Sequence, residues 1–263
     1  FSFKGKFILL VLMQLGGIGI VTFASFLATF IKSGVGLQHQ TMLQDFLSGE
    51  SLLNARQLVK RVISYTFAFE AAGAILMYLL WPDHLFSTVG ERLFHSIFHA
   101  VSAFCNAGFS LFTNGLMQGP LQTAYILHIC FAILIVFGGL GFPALRDLFG
   151  MHALRERMAK PWKQWKTSTV VSVYSALILV IAGAIVFFLV EQQNVLAGKS
   201  HFASAVTAVF QSITSRTAGF NTVDIGALTV SAQIMFIFLM FIGASSGSTG
   251  GGIKTSTFFL ILL

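Results

Sequence analysis

Cys105-Asn106-Ala107-Gly108-Phe109 and Arg216-Thr217-Ala218-Gly219-Phe220 end on the same tripeptide, and each follows a short, moderately apolar stretch flanked by much longer apolar segments. That layout points to two re-entrant loops lining an ion path. A glycine in such a loop lets the backbone turn its carbonyl oxygens toward a passing cation, which a residue with a Cβ does poorly.

The surrounding segments set the class. Of 263 residues, 56% are hydrophobic and only 10% charged, and the mean hydropathy is +0.83. This composition excludes an ordinary soluble domain and predicts an all-α, polytopic integral membrane protein. Five apolar segments, at 5–31, 60–81, 122–145, 166–190 and 231–263, reach the roughly 20 residues that a spanning helix needs. The stretches Leu93–Phe104 and Phe202–Thr214 are only about a dozen residues long, which suits half-helices that enter the bilayer and turn back.

An odd number of spans with two re-entrant segments puts the loops 32–59 and 146–165 on one side and both Ala-Gly-Phe loops on the other. Lys32, Arg56, Lys60, Arg61, Arg146, Arg155, Arg157, Lys160, Lys163 and Lys166 lie on the first face, against Lys4, Lys6, Arg92, Lys199 and Arg216 on the second. The positive-inside rule makes the first face cytoplasmic. The net charge of +7 is therefore read as a topological signal, not as a nucleic-acid footprint. Trp81, Trp162 and Trp165 fall near span ends, where interfacial aromatics gather.

Span, re-entrant segment, span occurs twice, at 60–145 and from 166 to about 255, and Gly108 and Gly219 are 111 residues apart. Phe98-His99-Ala100-Val101-Ser102 matches Phe210-Gln211-Ser212-Ile213-Thr214, with the Phe-to-Gly spacing differing by one residue. Leu15-Gly16-Gly17-Ile18-Gly19 likewise matches Phe137-Gly138-Gly139-Leu140-Gly141, 122 residues on. Such a run also serves plain helix packing. Its recurrence in register makes the first span the closing helix of an earlier unit, and because Phe1 follows no initiator Met and Leu263 lies inside an apolar run, a piece of a longer protein is expected.

The last span is interrupted by Gly243-Ala244-Ser245-Ser246-Gly247-Ser248-Thr249-Gly250-Gly251-Gly252-Ile253-Lys254-Thr255-Ser256. Each glycine costs a helix about 1 kcal/mol relative to Ala, and the hydroxyls compete for the backbone, so an unwound section at membrane depth is expected. Backbone of this kind is tolerated only where it lines a cavity or is buried in protein. A nucleotide-binding P-loop is excluded, since Ile253 separates Gly252 from Lys254 and no strand precedes the loop. Lys254 either meets backbone carbonyls or snorkels to the surface.

Together these residues resemble the Trk/Ktr/HKT superfamily of potassium transporters. The resemblance rests on Gln14 through Gly19, Phe98 through Phe109, Phe210 through Asp224 and the break Gly243 to Thr255, and it covers essentially the whole chain. It implies repeated membrane-pore-membrane units around a pseudo-fourfold pore. Residues 1–32 would be the second helix of repeat 1, 33–59 a cytoplasmic loop, 60–146 repeat 2, 147–165 a second cytoplasmic loop and 166–263 repeat 3, with repeat 4 absent. The resemblance makes Gly108 and Gly219 two of four filter glycines that carry K+ on their backbone, with Asn106, Ala107, Thr217 and Ala218 supplying neighbouring carbonyls. It makes Gly243, Ser245, Gly247, Gly250, Gly251, Gly252 and Lys254 part of an intramembrane gate, in which Ser246 stands where the family often has a Pro. It also implies a homodimer in the cytoplasmic (inner) membrane, and a cytosolic ring of nucleotide-binding regulatory subunits for which the basic loops 32–61 and 146–166 offer docking surface. No covalently bound cofactor and no nucleic acid is implied.

Potassium and sodium both stay open as the ion, because selectivity depends on all four filters. An ion-coupled secondary carrier with a substrate site at a broken helix is the competing reading, although such folds pair two mid-span breaks in inverted halves and here there is one. No Ser/His/Asp or paired-carboxylate arrangement points to an enzyme. His95 and His99 have the spacing of a zinc pair but no third ligand, so pore-helix packing is expected of them. Cys105 and Cys130 lack disulfide or metal spacing and read as small apolar side chains. Glu70, mid-span, needs a partner or serves as a coupling site for a proton or sodium ion. Arg216 is expected to pair with an acidic group such as Asp224.

Overall fold

The computed structural model describes residues 2–30, 55–160, 162 and 164–262. The expected loop at 33–59 lies outside the described residues as far as residue 54, as do Lys32 and Lys163. Among the described residues the chain is helical, with a single isolated β-bridge between Ile242 and Ile253.

Helix α1 (Phe3–Phe30) is followed by α2 (Ala55–Leu80) and the shorter α3 (Val89–Phe104). Thr88 caps α3 by accepting from Glu91 N at 3.1 Å, and the Glu91 carboxylate accepts in turn from Ser87 N at 3.1 Å. Helices α4 (Tyr125–Leu140), α5 (Phe142–Phe149) and α6 (Met151–Ala159) lead to α7 (Thr167–Glu191) and the second short helix, α8 (His201–Thr217), capped by Ser200. Helices α9 (Val230–Phe241) and α10 (Thr255–Leu262) flank the glycine-rich break. Lys60–Leu80 and Thr167–Glu191 are long and apolar enough to cross a bilayer. Helices α3 and α8, of 16 and 17 residues, exceed the expected dozen by about a turn, yet at about 25 Å each they fall short of the hydrocarbon thickness.

One expected span is corrected. The segment 122–145 is not a single straight helix: it stops at Leu140 and resumes at Phe142 after a bend of 107°. Gly141 sits at φ +85, and a Cβ on it would lie 2.5 Å from the Ser246 carbonyl oxygen, so the corner needs a residue without a side chain. Pro143 in the first turn of α5 loses no helical hydrogen bond there. The expected cytoplasmic loop 147–165 contains α6.

Helix α3 packs on α2 and α8 on α7, with α4 between the two short helices. Met77, Phe131, Phe210 and Phe220 fill the space between them. Trp81 belongs to this core and is not an interfacial anchor: it is 2% exposed, donates from Nε1 to Ser96 Oγ at 2.8 Å, and packs edge-on against Phe86, His99 and Phe112. Trp162 is exposed and Trp165 partly so. Across the second unit, Phe187 and Phe236 stack at 5.7 Å. Buried Glu191 ties the end of α7 to the start of α9, accepting from Thr229 N at 2.8 Å, Thr229 Oγ1 at 2.7 Å and Asn194 Nδ2 at 2.8 Å. Its donors compensate the cost of burying a carboxylate.

Candidate ion-conducting site

Both short helices deliver their carboxyl ends to one place. After α3, the chain passes Cys105, Asn106 at φ +52 and Ala107 to Gly108 at φ +72; after α8, it passes Ala218 to Gly219 at φ +79. The two glycines are neighbours. A Cβ built on Gly219 would lie 4.0 Å from Gly108 Cα, and one built on Gly108 would collide with the Ala218 carbonyl oxygen and sit 3.4 Å from Gly219 Cα. Among the described residues no hydrogen bond ends on the backbone carbonyl oxygens of Asn106, Ala107, Gly108, Thr217, Ala218 or Gly219. Protein carbonyls are normally paired, so a cluster of unpaired ones can bind a cation or water.

The loops are held by matching braces. Ser102 Oγ donates to Phe109 O at 2.8 Å, and Thr214 Oγ1 donates to Phe220 O at 2.9 Å. Ala107 N donates to Ser102 O at 2.9 Å, and Gly219 N donates to Thr214 O at 3.0 Å. One turn earlier, His99 Nε2 meets Ser110 Oγ at 3.2 Å, while Gln211 Nε2 donates to Thr222 Oγ1 at 2.8 Å. Leu111 N also donates to His99 Nε2, so that nitrogen is the acceptor and Nδ1–H donates to His95 O at 2.8 Å. These residues explain why Phe-His-Ala-Val-Ser matches Phe-Gln-Ser-Ile-Thr. The pattern was visible, but not its role in turning the Phe carbonyls aside. The histidine pair serves packing and bracing, and the described residues hold no group of three metal-binding side chains. Ser102→Ala should release the Phe109 carbonyl and cost about 1 kcal/mol of stability, read as a fall in melting temperature. Ser102→Thr should retain the bond.

The one-residue offset between the loops is taken up by Asn106, whose left-handed backbone holds the extra residue. Its side chain joins the two loops to each other and to the break. Oδ1 accepts from Thr217 Oγ1 at 2.9 Å, and Nδ2 donates to Thr249 Oγ1 at 3.0 Å and Phe104 O at 3.3 Å. The Thr249 hydroxyl is shared between Phe104 O at 3.0 Å and Gly138 O at 3.3 Å.

Residues 242–254 form a folded plug. Gly243 N donates to Ile253 O, Ala244 N to Gly251 O, and Ser245 N to Gly139 O at 3.0 Å. Gly247 O accepts from Phe142 N at 3.0 Å. A Cβ on Gly243 would meet Gly251 O, while Gly252 Cα lies 2.6 Å from the same position and a Cβ on Gly250 would lie 2.9 Å from Thr217 Cγ2. Lys254 Nζ donates to Gly250 O at 2.8 Å, which selects the backbone-carbonyl option for this lysine. Arg216 is corrected: its Nη2 donates to Gly243 O at 3.0 Å, whereas Asp224 accepts from Gly226 N in its own turn. Glu70 is buried, with Gln14 and Cys105 beside its carboxyl, the Cys105 Sγ 3.7 Å from Oε1.

A family model described as TrkH, cation transport protein, matches residues 2–263. The Ktr system potassium uptake protein B of Vibrio alginolyticus is 33% identical over 267 residues, covering 98% of this chain and 55% of that protein. Its namesake from Bacillus subtilis is 33% identical over 265 residues, covering 100% and 57%. The potassium/sodium uptake protein NtpJ of Enterococcus hirae is 29% identical, covering 98% and 55%. The crystal structure of the potassium transporter TrkH from Vibrio parahaemolyticus superposes with a TM-score of 0.67 at 20% identity, covering 96% of this chain and 46% of that one. The chain thus spans about half the length of the proteins it matches.

Proposed function

This chain belongs to the TrkH family of cation transport proteins, and we propose that it forms part of a potassium uptake system of the cytoplasmic membrane. In this reading the ion crosses a channel-like pore whose filter includes Asn106, Ala107, Gly108, Thr217, Ala218 and Gly219. The observation that carries it is the cluster of unpaired backbone carbonyls where the two Gly loops meet. A potassium ion sheds water to pass, and carbonyl dipoles replace its hydration shell. The carboxyl ends of α3 and α8 add partial negative charge to the same region.

The plug formed by Gly243 to Lys254 would close the path beneath the filter and move aside for conduction. Residues 60–146 and 166–263 would be two of four units, with 1–32 the end of another. A homodimer and a ring of nucleotide-binding regulatory subunits at the cytoplasmic face complete the proposal. The names of the relatives support potassium as the ion, with sodium as a further cargo in one of them. The meeting of the two Gly loops at one place favours this pore over a carrier with its substrate site at a broken helix.

The test is rubidium and sodium uptake by the full-length parent in a host lacking its own potassium uptake. Restored growth at low potassium with rubidium entry is expected. Failure despite verified membrane expression would overturn the assignment.

A further inference from the structure

Away from the pore, the bend at Gly141 opens a cavity of about 640 Å³ between the start of α2, helices α5 and α6, and the start of α7. Its wall carries Arg61, Arg146, Arg157 and Lys166 against Asp147 and Glu156. Four basic side chains against two acidic ones leave the wall with an excess of positive charge. Asp147 accepts from the Lys166 backbone N–H at 3.0 Å, and Arg146 and Glu156 are each engaged in interactions of their own. Arg157 is fixed in place, donating from Nε to Ala153 O at 3.2 Å and from Nη2 to Leu148 O at 3.4 Å. Arg61 and Lys166 extend into solvent at the rim, each at the end of a helix long and apolar enough to span.

The same corner has an apolar margin. Phe149, Met151, Leu154, Met158 and Trp162 are exposed along and just after α5 and α6, interleaved with Arg155 and Lys160. Basic residues beside exposed apolar ones, on α5, which is turned 107° from the preceding span, and on α6 directly after it, are the arrangement of an element lying in the membrane interface. A ligand that fits both features is anionic at one end and apolar at the other.

We propose that this cavity binds the phosphate of an anionic phospholipid from the cytoplasmic leaflet, with the acyl chains running along the exposed apolar residues of α5 and α6. Arg61 and Lys166 supply the attraction and Arg157 the fixed donor. Polybasic surface of this type draws acidic lipid through its headgroup charge.

The full-length protein, delipidated in detergent and returned to phosphatidylglycerol or phosphatidylcholine, tests this by native mass spectrometry. The wild type should retain phosphatidylglycerol, and the double variant Arg61→Gln/Lys166→Gln should lose about tenfold in retention. Lys4→Gln, which belongs to neither the cavity nor its apolar margin, should not. Arg61→Lys should restore much of the binding, which separates charge from packing, and an unchanged melting temperature shows that the variants fold. Equal retention of both lipids, or of phosphatidylglycerol by wild type and double variant, overturns the proposal. Displacement by millimolar inorganic phosphate with no lipid preference would identify a free-anion site and overturn the lipid assignment. Loss of a regulatory protein's binding with lipid retention intact would make the surface a protein dock and overturn it equally.

Discussion

Gly108→Ala is expected to abolish rubidium uptake by the full-length transporter, whereas Gly219→Ala should leave a measurable fraction. The two glycines hold equivalent places in their repeats, and both have left-handed backbone, at φ +72 and +79. A side chain in that region costs about 1–2 kcal/mol on conformation alone, which corresponds to a loss of about 5- to 30-fold. That cost falls on both variants. Only Gly108 adds a collision, because its Cβ would occupy the space of the Ala218 carbonyl oxygen. The Gly219 loop would have to withdraw an oxygen that faces the ion in the proposed filter. A Cβ on Gly219 finds its nearest neighbour at 4.0 Å. Uptake kinetics with verified membrane expression give the comparison, and equal impairment of the two variants, or a Gly108→Ala protein as active as wild type, would sink the assignment.

Thr249→Val is expected to raise basal rubidium flux about tenfold without changing ion preference. Valine keeps the shape but removes the hydroxyl that donates to Phe104 O or Gly138 O and accepts from Asn106 Nδ2. Losing these bonds weakens the hold of the plug by about 1–3 kcal/mol, which shifts a two-state equilibrium by roughly 5- to 150-fold. The carbonyls of the proposed filter are untouched, so ion preference should be that of the unsubstituted protein. Thr249→Ser should behave as wild type. A lower flux in the valine variant, or leakage that also loses potassium-over-sodium preference, would show that the threonine supports the filter instead of holding the plug.

The parts legible in the sequence were those with a period or a composition. The 111-residue spacing of Gly108 and Gly219 identified the two loops, and the concentration of glycine after Phe241 located the break. Features that depend on who meets whom were not legible. Arg216 looked for a carboxylate because charges are visible in a sequence, but its partner is the backbone carbonyl of Gly243, which leaves no trace there. Gly138-Gly139-Leu140-Gly141 reads alike in a straight helix and at a corner. Pro143, two residues beyond, was the available sign of a new helix start. Trp81 sits at a span end as an interfacial residue would, and only its bond to Ser96 and its aromatic neighbours show it to be core.

The corner at Gly141 has a mechanical consequence. Phe142 N, the first amide of α5, is bonded to Gly247 O in the plug, and Ser245 N is bonded to Gly139 O just before the corner. The plug is therefore bonded main chain to main chain on both sides of the corner, with the Thr249 hydroxyl adding a bond to Gly138 O. Whatever tilts α5 pulls on residue 247 through the Phe142–Gly247 main-chain hydrogen bond. Folding the span back on itself gives the membrane surface a short lever onto the ion path, and substitutions of the intervening side chains should leave that linkage in place.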